Sequence, residues 1–337
     1  MKINNTDTDK KVFIIAEIGN NHEGDFKLAK EMISLAAEAG ADAVKFQTFR
    51  TECYISANDK KRFDMIKSFE LRNSQFEKLK NYAKDKHIGF ISTPLDIKSA
   101  KFLDNIVDAI KISSSDNNFF PLLKTIFSGD KPVIISTGLL GIKEIEDILN
   151  YIFSISKNIN IKNELALLHC VTAYPVHYQY ANLKAIKSLR DNFNVTIGYS
   201  DHTIGINAAI ASIGIGARII EKHFTKDKNQ SEFRDHKISA DPDEFSKMVR
   251  AIREVELMLG NGEKVIQDPE KEIKLSVRRS IVARKNIKKG TILSLNDLNW
   301  VRPGGGIPSK ETEYIIGKKL KEDLVEGQKI QVHHFDL

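Results

Sequence analysis

The sequence is poor in cysteine and contains no long apolar run. Its 337 residues include two cysteines, Cys53 and Cys170, and neither belongs to a CxxC pair. A thiolate zinc site and a disulfide framework are therefore not indicated. The start, MKINNTDTDKK, is polar without an apolar signal core, and the longest apolar runs are short stretches such as Val12–Ala16. These patterns argue against a secretory signal and a membrane span, so we expect a cytoplasmic protein.

The sequence also lacks a strong excess of one charge. It carries 51 basic and 45 acidic residues, interleaved along the chain, for a formal net charge of +6. We therefore expect a mildly basic surface that attracts small anions, and no nucleic-acid partner. The hydrophobic and charged fractions, 41% and 28%, are typical of soluble globular proteins. The length suits one large domain and one small one.

Short apolar runs alternate with longer amphipathic stretches through most of the chain. Eight runs have strand length and are rich in Ile and Val: Val12–Glu17, Ala43–Gln47, Gly89–Thr93, Ala109–Ser113, Val133–Thr137, Leu165–Cys170, Thr196–Ser200 and Ile219–His223. Apolar residues at helical spacing occur in Lys27–Ala39, Ile142–Phe153 and Pro242–Leu259. This alternation predicts an α/β fold, a (β/α)8 TIM barrel of roughly 250 residues. A doubly wound sheet is the alternative, but AEIGNNHEGD after the first run is not its usual GxGxxG turn.

The pattern changes after Gly260–Gly262. Residues 263–277 are rich in charge and contain Pro269, which indicates a linker. Residues 278–337 hold only short apolar segments separated by turns such as KKGT and RPGGG. We therefore predict a catalytic barrel over residues 1–262, a linker over 263–277 and a small domain over 278–337.

Polar residues concentrate at the carboxyl ends of the predicted strands, where the active site of a TIM barrel lies. These residues are Glu17, Lys45, Gln47, Thr93, Lys111, Ser114, Asp116, Ser136, Thr172, Tyr174, Ser200, His202, Glu221 and His223. Two lysines among several hydroxyls suit a phosphate group. Two histidines on consecutive strands suit a divalent transition metal acting as a Lewis acid, although a single histidine there is more often a packing residue. Glu17 and Asp116 could orient hydroxyls or move protons, and His333-His334 is interpreted as a solvated chain end.

At these motifs the sequence closely resembles the sialic acid synthase family, the bacterial N-acetylneuraminate synthases with their legionaminate and pseudaminate relatives. The matching stretches are AEIGNNHEGD (Ala16–Asp25), AGADAVKFQTF (Ala39–Phe49), STP (Ser92–Pro94), KISSSD (Lys111–Asp116), STG (Ser136–Gly138), HCVTAYP (His169–Pro175), GYSDHT (Gly198–Thr203), EKHFT (Glu221–Thr225) and RPGGG (Arg302–Gly306). The tail resembles the antifreeze-like SAF domain, a β-clip fold, that ends these enzymes.

The resemblance implies a transferase that condenses phosphoenolpyruvate with an N-acylated mannose-type sugar and releases phosphate. The implied catalytic residues are Glu17, Lys45, Lys111, Asp116, His202 and His223. The implied substrate-binding residues are Gln47, Thr93, Ser114, Ser136, Thr172, Tyr174, Ser200, Asp235 and Arg302. His202 and His223 are the implied ligands of a divalent metal, Mn²⁺ first, with Mg²⁺ or Co²⁺ as alternatives. The resemblance also implies a domain-swapped homodimer, in which Arg302 of one subunit enters the barrel of its partner.

Departures from the family pattern bear on the sugar. Asp116 stands where many members have Glu, Thr172 stands where some have Asn, and Lys226–Lys237 replaces a GPDH-type turn. We expect N-acetylmannosamine as the acceptor, with a 2,4-diacetamido-2,4,6-trideoxyhexose as the alternative. A Schiff-base aldolase that uses Lys45 or Lys111 as its nucleophile is the alternative from another enzyme class.

Overall fold

A computed structural model describes residues 1–156 and 164–335 of the chain. The chain divides into two compact units, Met1–Gly260 and Asn261–Leu337. The segment predicted as a linker falls in the second unit and includes an exposed helix, Asp268–Val277. No helix in the described part of the chain is long and apolar enough to cross a membrane.

The first unit is a closed barrel of eight parallel strands, which confirms the predicted fold class. A short hairpin, β1 (Lys2–Ile3) and β2 (Thr6–Asp7), precedes it. The barrel strands are β3 (Phe13–Gly19), β4 (Ala43–Thr48), β5 (Gly89–Pro94), β6 (Ala109–Ile112), β7 (Val133–Ser136), β8 (Leu165–Cys170), β9 (Thr196–Asp201) and β10 (Ile219–His223). Strand β10 pairs with both β9 and β3, which closes the barrel. All eight predicted strands are present, and two of them have the predicted ends.

Helices follow the strands, and most of them cover the outside of the barrel. In chain order they are α1 (Phe26–Glu38), α2 (Thr51–Tyr54), α3 (Lys60–Phe69), α4 (Asn73–Asp85), α5 (Ile97–Leu103), α6 (Phe120–Ile126), α7 (Ile142–Ile155), α8 (Ala185–Asn192), α9 (Asn207–Ile215), α10 (Asp235–Ile238) and α11 (Pro242–Leu259). The Asp25 side chain accepts hydrogen bonds from the amides of Lys27 and Leu28 and so caps α1. Helices α1, α7 and α11 confirm the three predicted helices.

Strand alternation gives the barrel two different faces. Outward residues such as Ile14, Phe46 and Phe90 pack in the large core with the helices. Inward residues near the amino-terminal ends form a separate apolar cluster with Met1 and Ile3 of the hairpin. This cluster fills the lower barrel, so inward polar residues further along the strands meet above it.

The second unit begins with α12 (Asp268–Val277) and contains a two-stranded antiparallel sheet of β11 (Ser280–Ala283) and β12 (Leu298–Val301), followed by the short helix α13 (Thr312–Ile315). Its own core includes Ile281, Leu298 and Phe335. The interpretation of His333-His334 as a solvated end is wrong for one of the two, because His334 is 3% exposed. Its Nδ1 atom accepts a hydrogen bond from the backbone amide of Gln331, which draws the ring inward.

Candidate active site

A cavity of about 1000 Å³ lies at the carboxyl ends of the barrel strands. Its size matches the upper range of small-molecule sites, so it can hold two small substrates. The predicted site residues that line it are Glu17, Lys45, Gln47, Thr93, Lys111, Ser114, Ser136, Thr172, Tyr174, Ser200, His202, His223 and Asp235. The barrel thus brings together thirteen of the fifteen predicted residues.

Asp116 and Arg302 are the two that do not line the cavity. The partly exposed Asp116 carboxylate accepts hydrogen bonds from the lining hydroxyls of Ser113, at 2.6 Å, and Ser115, at 2.9 Å. Its position orients those hydroxyls. Arg302 is an exposed residue of the second unit, directly after β12.

The floor of the cavity holds two lysines and two glutamates, all almost completely buried. Lys45 Nζ lies 2.9 Å from Glu17 Oε1 and 3.7 Å from Glu221 Oε2, and it donates to Thr93 Oγ1 at 3.1 Å. Lys111 Nζ donates to Ser136 Oγ at 2.6 Å and lies 4.0 Å from Glu221 Oε1. Burial of four charges is costly unless each is paired, so this floor is a specialised arrangement.

Burial and the neighbouring lysines give the two glutamates opposite pKa shifts. Burial raises the pKa of Glu17, and the Glu221 charge adds to it, while Lys45 opposes it. Burial also acts to raise the pKa of Glu221, but Lys111 and Lys45 outweigh it and the pKa is lowered. Burial lowers the pKa of Lys111. Of the two carboxyls, Glu17 is therefore the one that takes up a proton more readily, and Glu221 the one that ionises more readily.

Unsatisfied polar atoms concentrate in this cavity. In the described part of the chain, 11 buried side-chain nitrogen or oxygen atoms have no hydrogen bond. Seven of them belong to lining residues: Glu17, Asn20, Ser114, Thr172, Glu221, His223 and Asp235. Buried polar groups in native proteins are nearly always hydrogen-bonded, so such a cluster marks a place where a ligand supplies the missing partners.

The two predicted metal ligands lie side by side, with ring centroids 5.4 Å apart. His202 Nδ1 donates to the Val171 carbonyl at 2.9 Å, which leaves the lone pair on Nε2 free. His223 Nδ1 is buried without a hydrogen bond. Burial lowers the pKa of His223 well below its usual value. Burial acts in the same direction on His202, but its contacts with Cys170 and the Val171 carbonyl outweigh it and raise the pKa. Only a neutral imidazole binds a metal, so His223 is ready to bind one, and a metal at His202 competes with a proton for Nε2. The pair fits a divalent transition metal on these terms.

One side of the cavity is apolar. We call it the apolar wall; it consists of Met65, Ile66 and Phe69 from α3, with Leu95 and Phe233. The rings of Phe69 and Phe233 meet edge to face, with centroids 5.2 Å apart. Ile66, Phe69 and Leu95 belong to a small core of their own, separate from the two barrel cores.

The lining continues from the histidine pair to the apolar wall. The Tyr174 ring centroid lies 4.3 Å from that of His202. The Arg234 guanidinium lies over the same Tyr174 ring, 4.9 Å from its centroid, and Arg234 follows Phe233 in the chain. The histidines and the wall are thus opposite ends of one continuous surface.

Comparisons with known proteins agree with this geometry. The model of the NeuB family matches residues 32–264, and that of the SAF domain matches residues 278–335. The chain belongs to the NeuB family. It is therefore an enzyme of the sialic acid synthase type, with a C-terminal SAF domain.

Individual relatives of this NeuB-family chain extend over nearly its whole length. It is 40% identical to an N,N'-diacetyllegionaminic acid synthase of Campylobacter jejuni, covering 96% of this chain and 99% of that protein. It is 33% identical to the human N-acetylneuraminate-9-phosphate synthase, covering 94% and 91%. A crystal structure of an N-acetylneuraminic acid synthetase from Leptospira borgpetersenii, in complex with citrate, superposes with a TM-score of 0.73 at 38% identity, covering 78% and 90%.

Sequence reasoning assigned no role to Glu221 or to the apolar wall. Glu221 precedes His223 by two residues in β10, so alternation alone places both side chains on the inner face. The length of one connection could have indicated the apolar wall, because the stretch between β4 and β5 is the longest between consecutive predicted strands. It accommodates α2 and α3 in addition to the usual helix.

A second group of possible metal ligands lies in the NeuB-family chain's SAF domain. Atoms of Glu322, His333 and His334 come within 4.8 Å of one another. Because His334 Nδ1 accepts the Gln331 amide hydrogen, its ring proton is on Nε2, the nitrogen that faces Glu322. A neutral ring in this state has no lone pair free for a metal, so this group fits a cation less well than His202 and His223.

Proposed function

We propose that the chain condenses phosphoenolpyruvate with the open-chain aldehyde of an N-acylated amino sugar. The enol carbon forms a bond with the aldehyde carbon, water adds at the adjacent carbon, and phosphate leaves to give a 2-keto acid. The observation that carries this proposal is the meeting, in one cavity, of two buried lysines among hydroxyls with the histidine pair.

Lys45 and Lys111 are suited to bind the phosphate and carboxylate of phosphoenolpyruvate. Both ammonium groups already contact hydroxyl groups, of Thr93 and Ser136 respectively, which can donate to the same anion. Charge-assisted hydrogen bonds of this kind are stronger than neutral ones, and fixed donors hold the enol in line with the aldehyde.

Glu17 and Glu221 are suited to the proton transfers. The pKa of Glu17 is raised, first by burial, so its carboxyl can carry a proton to an oxygen of the reacting sugar. Glu221 stays ionised and accepts a hydrogen bond from Ser200 at 2.9 Å, so it can orient or accept from a water molecule. Two carboxyls whose pKa values are driven apart are a common acid–base arrangement.

His202 and His223 would hold a divalent cation, for which we propose Mn²⁺, with Mg²⁺ or Co²⁺ as alternatives. Such an ion polarises an aldehyde oxygen as a Lewis acid. The protein orients one of these ligands through its backbone, because the Val171 carbonyl accepts a hydrogen bond from His202 Nδ1 and so fixes the ring.

We propose a 2,4-diacetamido-2,4,6-trideoxyhexose as the preferred acceptor; N-acetylmannosamine, the first expectation from the sequence, stays as the alternative. An aldehyde carbon at the histidine pair directs the far end of the sugar along Tyr174 toward the apolar wall. A terminal methyl group gains free energy by leaving water there, whereas a hydroxyl loses hydrogen bonds. The identity of 40% to a relative named a diacetyllegionaminic acid synthase supports the same acceptor.

The test is phosphate release from phosphoenolpyruvate with four acceptors of mannose configuration. The four acceptors carry either a hydroxyl or an acetamido group at C4 and either a hydroxyl or a hydrogen at C6. N-acetylmannosamine 6-phosphate is the fifth acceptor in the panel. We expect kcat/KM to rise about tenfold for each change toward the diacetamido-trideoxy sugar, the usual scale for one group in an apolar pocket. Higher kcat/KM with N-acetylmannosamine or its 6-phosphate would contradict the acceptor; no phosphate release from any of the five would contradict the condensation.

A pair of variants on α3 locates the discrimination. Met65 lines the cavity, whereas Asp64 beside it is exposed and does not. Met65→Gln should reduce the preference for H over OH at C6, and Asp64→Asn should leave it unchanged. If the two variants show the same preference for H over OH at C6, then C6 of the sugar does not bind near Met65.

We also propose the domain-swapped homodimer with Arg302 in the partner's barrel. Each unit exposes large apolar side chains: Leu257 at 85% and Met258 at 76% in the first, and Leu275 at 63% in the second. Exposed apolar side chains that lie together are typical of a surface that a partner covers. A fully active monomer by light scattering, or unchanged kinetics of Arg302→Ala, would contradict the arrangement. The cytoplasmic location stays a prediction of the sequence.

A further inference from the structure

A second buried ion pair lies on the same strands as the histidine pair. Lys222 Nζ is 3.0 Å from Asp201 Oδ2, and the two side chains are 1% and 0% exposed. Lys222 also donates to the Thr203 carbonyl oxygen. Asp201 Oδ1 accepts from the Thr203 amide at 2.8 Å and from the Tyr199 hydroxyl at 3.2 Å. None of these residues lines the cavity.

The position of this pair relative to the histidines is specific. Asp201 and Lys222 are direct partners in the register of β9 and β10, and each precedes a histidine in the chain. Because side chains alternate along a strand, the ion pair lies on the outer face and the histidines on the inner face. The Lys222 ammonium contacts Asp201 and Thr203, the residues on both sides of His202. Lys222 itself directly precedes His223 in the chain.

Stability alone does not account for such a pair. Replacing a buried ion pair by apolar residues of similar volume is often neutral or stabilising, because desolvation offsets the attraction between the charges. The pair does, however, hydrogen-bond to the backbone amide and carbonyl of Thr203, so it connects β10 to the chain directly after His202. It therefore fixes the spacing and the register of the two strand ends that carry the histidines.

We propose that Lys222 and Asp201 are positioning residues that hold His202 and His223 at the spacing a divalent cation requires. The proposal rests on the metal site of the proposed function. It assigns no chemistry to the pair, which acts through the backbone of β9 and β10.

The test is Co²⁺ binding to the full-length, metal-free protein, followed by its visible absorption. The main variant is the double substitution Asp201→Leu with Lys222→Met, which keeps apolar volume and leaves no charge unpaired. We expect its melting temperature to stay close to that of the parent, while the Co²⁺ dissociation constant rises about 10- to 100-fold, the usual effect of residues that orient metal ligands. The absorption bands should also shift. Tyr199→Phe, which removes one hydrogen bond of Asp201, is the control and should weaken Co²⁺ binding less than threefold.

Each outcome decides one of the two proposals. A parent protein that binds no Co²⁺ overturns the metal site itself, and the positioning role with it. A parent that binds Co²⁺ and a folded double variant with the same affinity and spectrum overturn the positioning role alone. If the double variant does not fold, Asp201→Asn replaces it, since it keeps the size and the Oδ1 acceptor. Unchanged Co²⁺ affinity in folded Asp201→Asn also overturns the role.

Discussion

Two sets of buried charges lie on opposite faces of the same barrel. On the inner face, Lys45 and Lys111 meet Glu17 and Glu221, and one oxygen of each glutamate has no hydrogen bond. On the outer face, Lys222 and both oxygens of Asp201 have all their contacts within the protein. Both sets are almost completely out of water, so burial does not distinguish them.

The difference in hydrogen bonding separates a ligand site from a structural device. Unpaired polar atoms in a protein interior cost free energy, and they persist where a ligand compensates for them. The inner set carries that cost and lines a cavity, whereas the outer set is complete and lines none. A buried lysine on a strand is thus insufficient to identify a ligand-binding site. The hydrogen bonding of the polar groups around the lysine has to be considered as well.

Removal of the metal has the largest expected effect on turnover. Variants of two histidine pairs, His202 with His223 and His333 with His334, test where the metal binds. We expect EDTA to abolish turnover and Mn²⁺ to restore it, because the aldehyde is otherwise a poor electrophile. His223→Gln should abolish turnover at all Mn²⁺ concentrations. His333→Gln, in the SAF domain, should leave turnover and its Mn²⁺ dependence unchanged. Full activity in protein shown to be metal-free would refute the metal proposal.

Substitution of a lysine on each face gives the next largest effect. Lys111→Met should lower kcat/KM by a factor on the order of 10³ while the protein stays folded, since one preorganised donor to a developing charge contributes that much. Lys222→Met, measured by urea unfolding, should lower the free energy of unfolding by about 3–5 kcal/mol, because it leaves Asp201 buried without its counter-ion. A reversal of these two phenotypes would remove the distinction between the faces.

Borohydride treatment with a keto acid is the control for the lysine chemistry. A Schiff-base aldolase would give a covalent adduct on Lys45 or Lys111. The proposed condensation uses both lysines as cations, so no adduct should appear by mass spectrometry.

The sequence was sufficient for the fold because its signals are local. Runs such as Leu165–Cys170 and Ile219–His223 have the length, the apolar composition and the boundaries of the strands they form. Twelve of the thirteen lining site residues followed from one rule, that polar groups at strand ends converge in a barrel, and Asp235 came from the family resemblance. That rule needs no knowledge of distances.

The remaining features depend on side-chain direction and on long-range contact. His169 is the second-last residue of β8, yet its Nε2 bonds to the Ala181 carbonyl and it does not line the cavity. Asp116 is adjacent in sequence to lining residues, yet it does not line the cavity and bonds instead to the Ser113 hydroxyl. The apolar wall joins α3 to Phe233, which are far apart in the chain. Periodicity does not report such contacts.

The smallest expected effect concerns a third kind of buried group, a neutral histidine in the loop between β3 and α1. His22 is 1% exposed, its Nδ1 accepts the Gly24 amide hydrogen, and burial lowers its pKa to about 4 against the attraction of Asp25 and Glu23. The unfolded chain has the ordinary value of 6.5. Between these two pH values the unfolded state binds the extra proton, so stability falls as the pH falls.

His22→Asn keeps an acceptor at the position of Nδ1 and removes the titration. Urea unfolding at pH 7 and pH 5 should therefore show the parent losing about 2 kcal/mol more than the variant, from roughly 1.5 pH units at 1.36 kcal/mol each. Other histidines titrate equally in both proteins, so the difference isolates His22. Equal losses would mean that the His22 ring is accessible to protons in the folded state. The loop between β3 and α1, which carries Asn20 and Glu23 into the cavity, would then open far more readily than its burial implies.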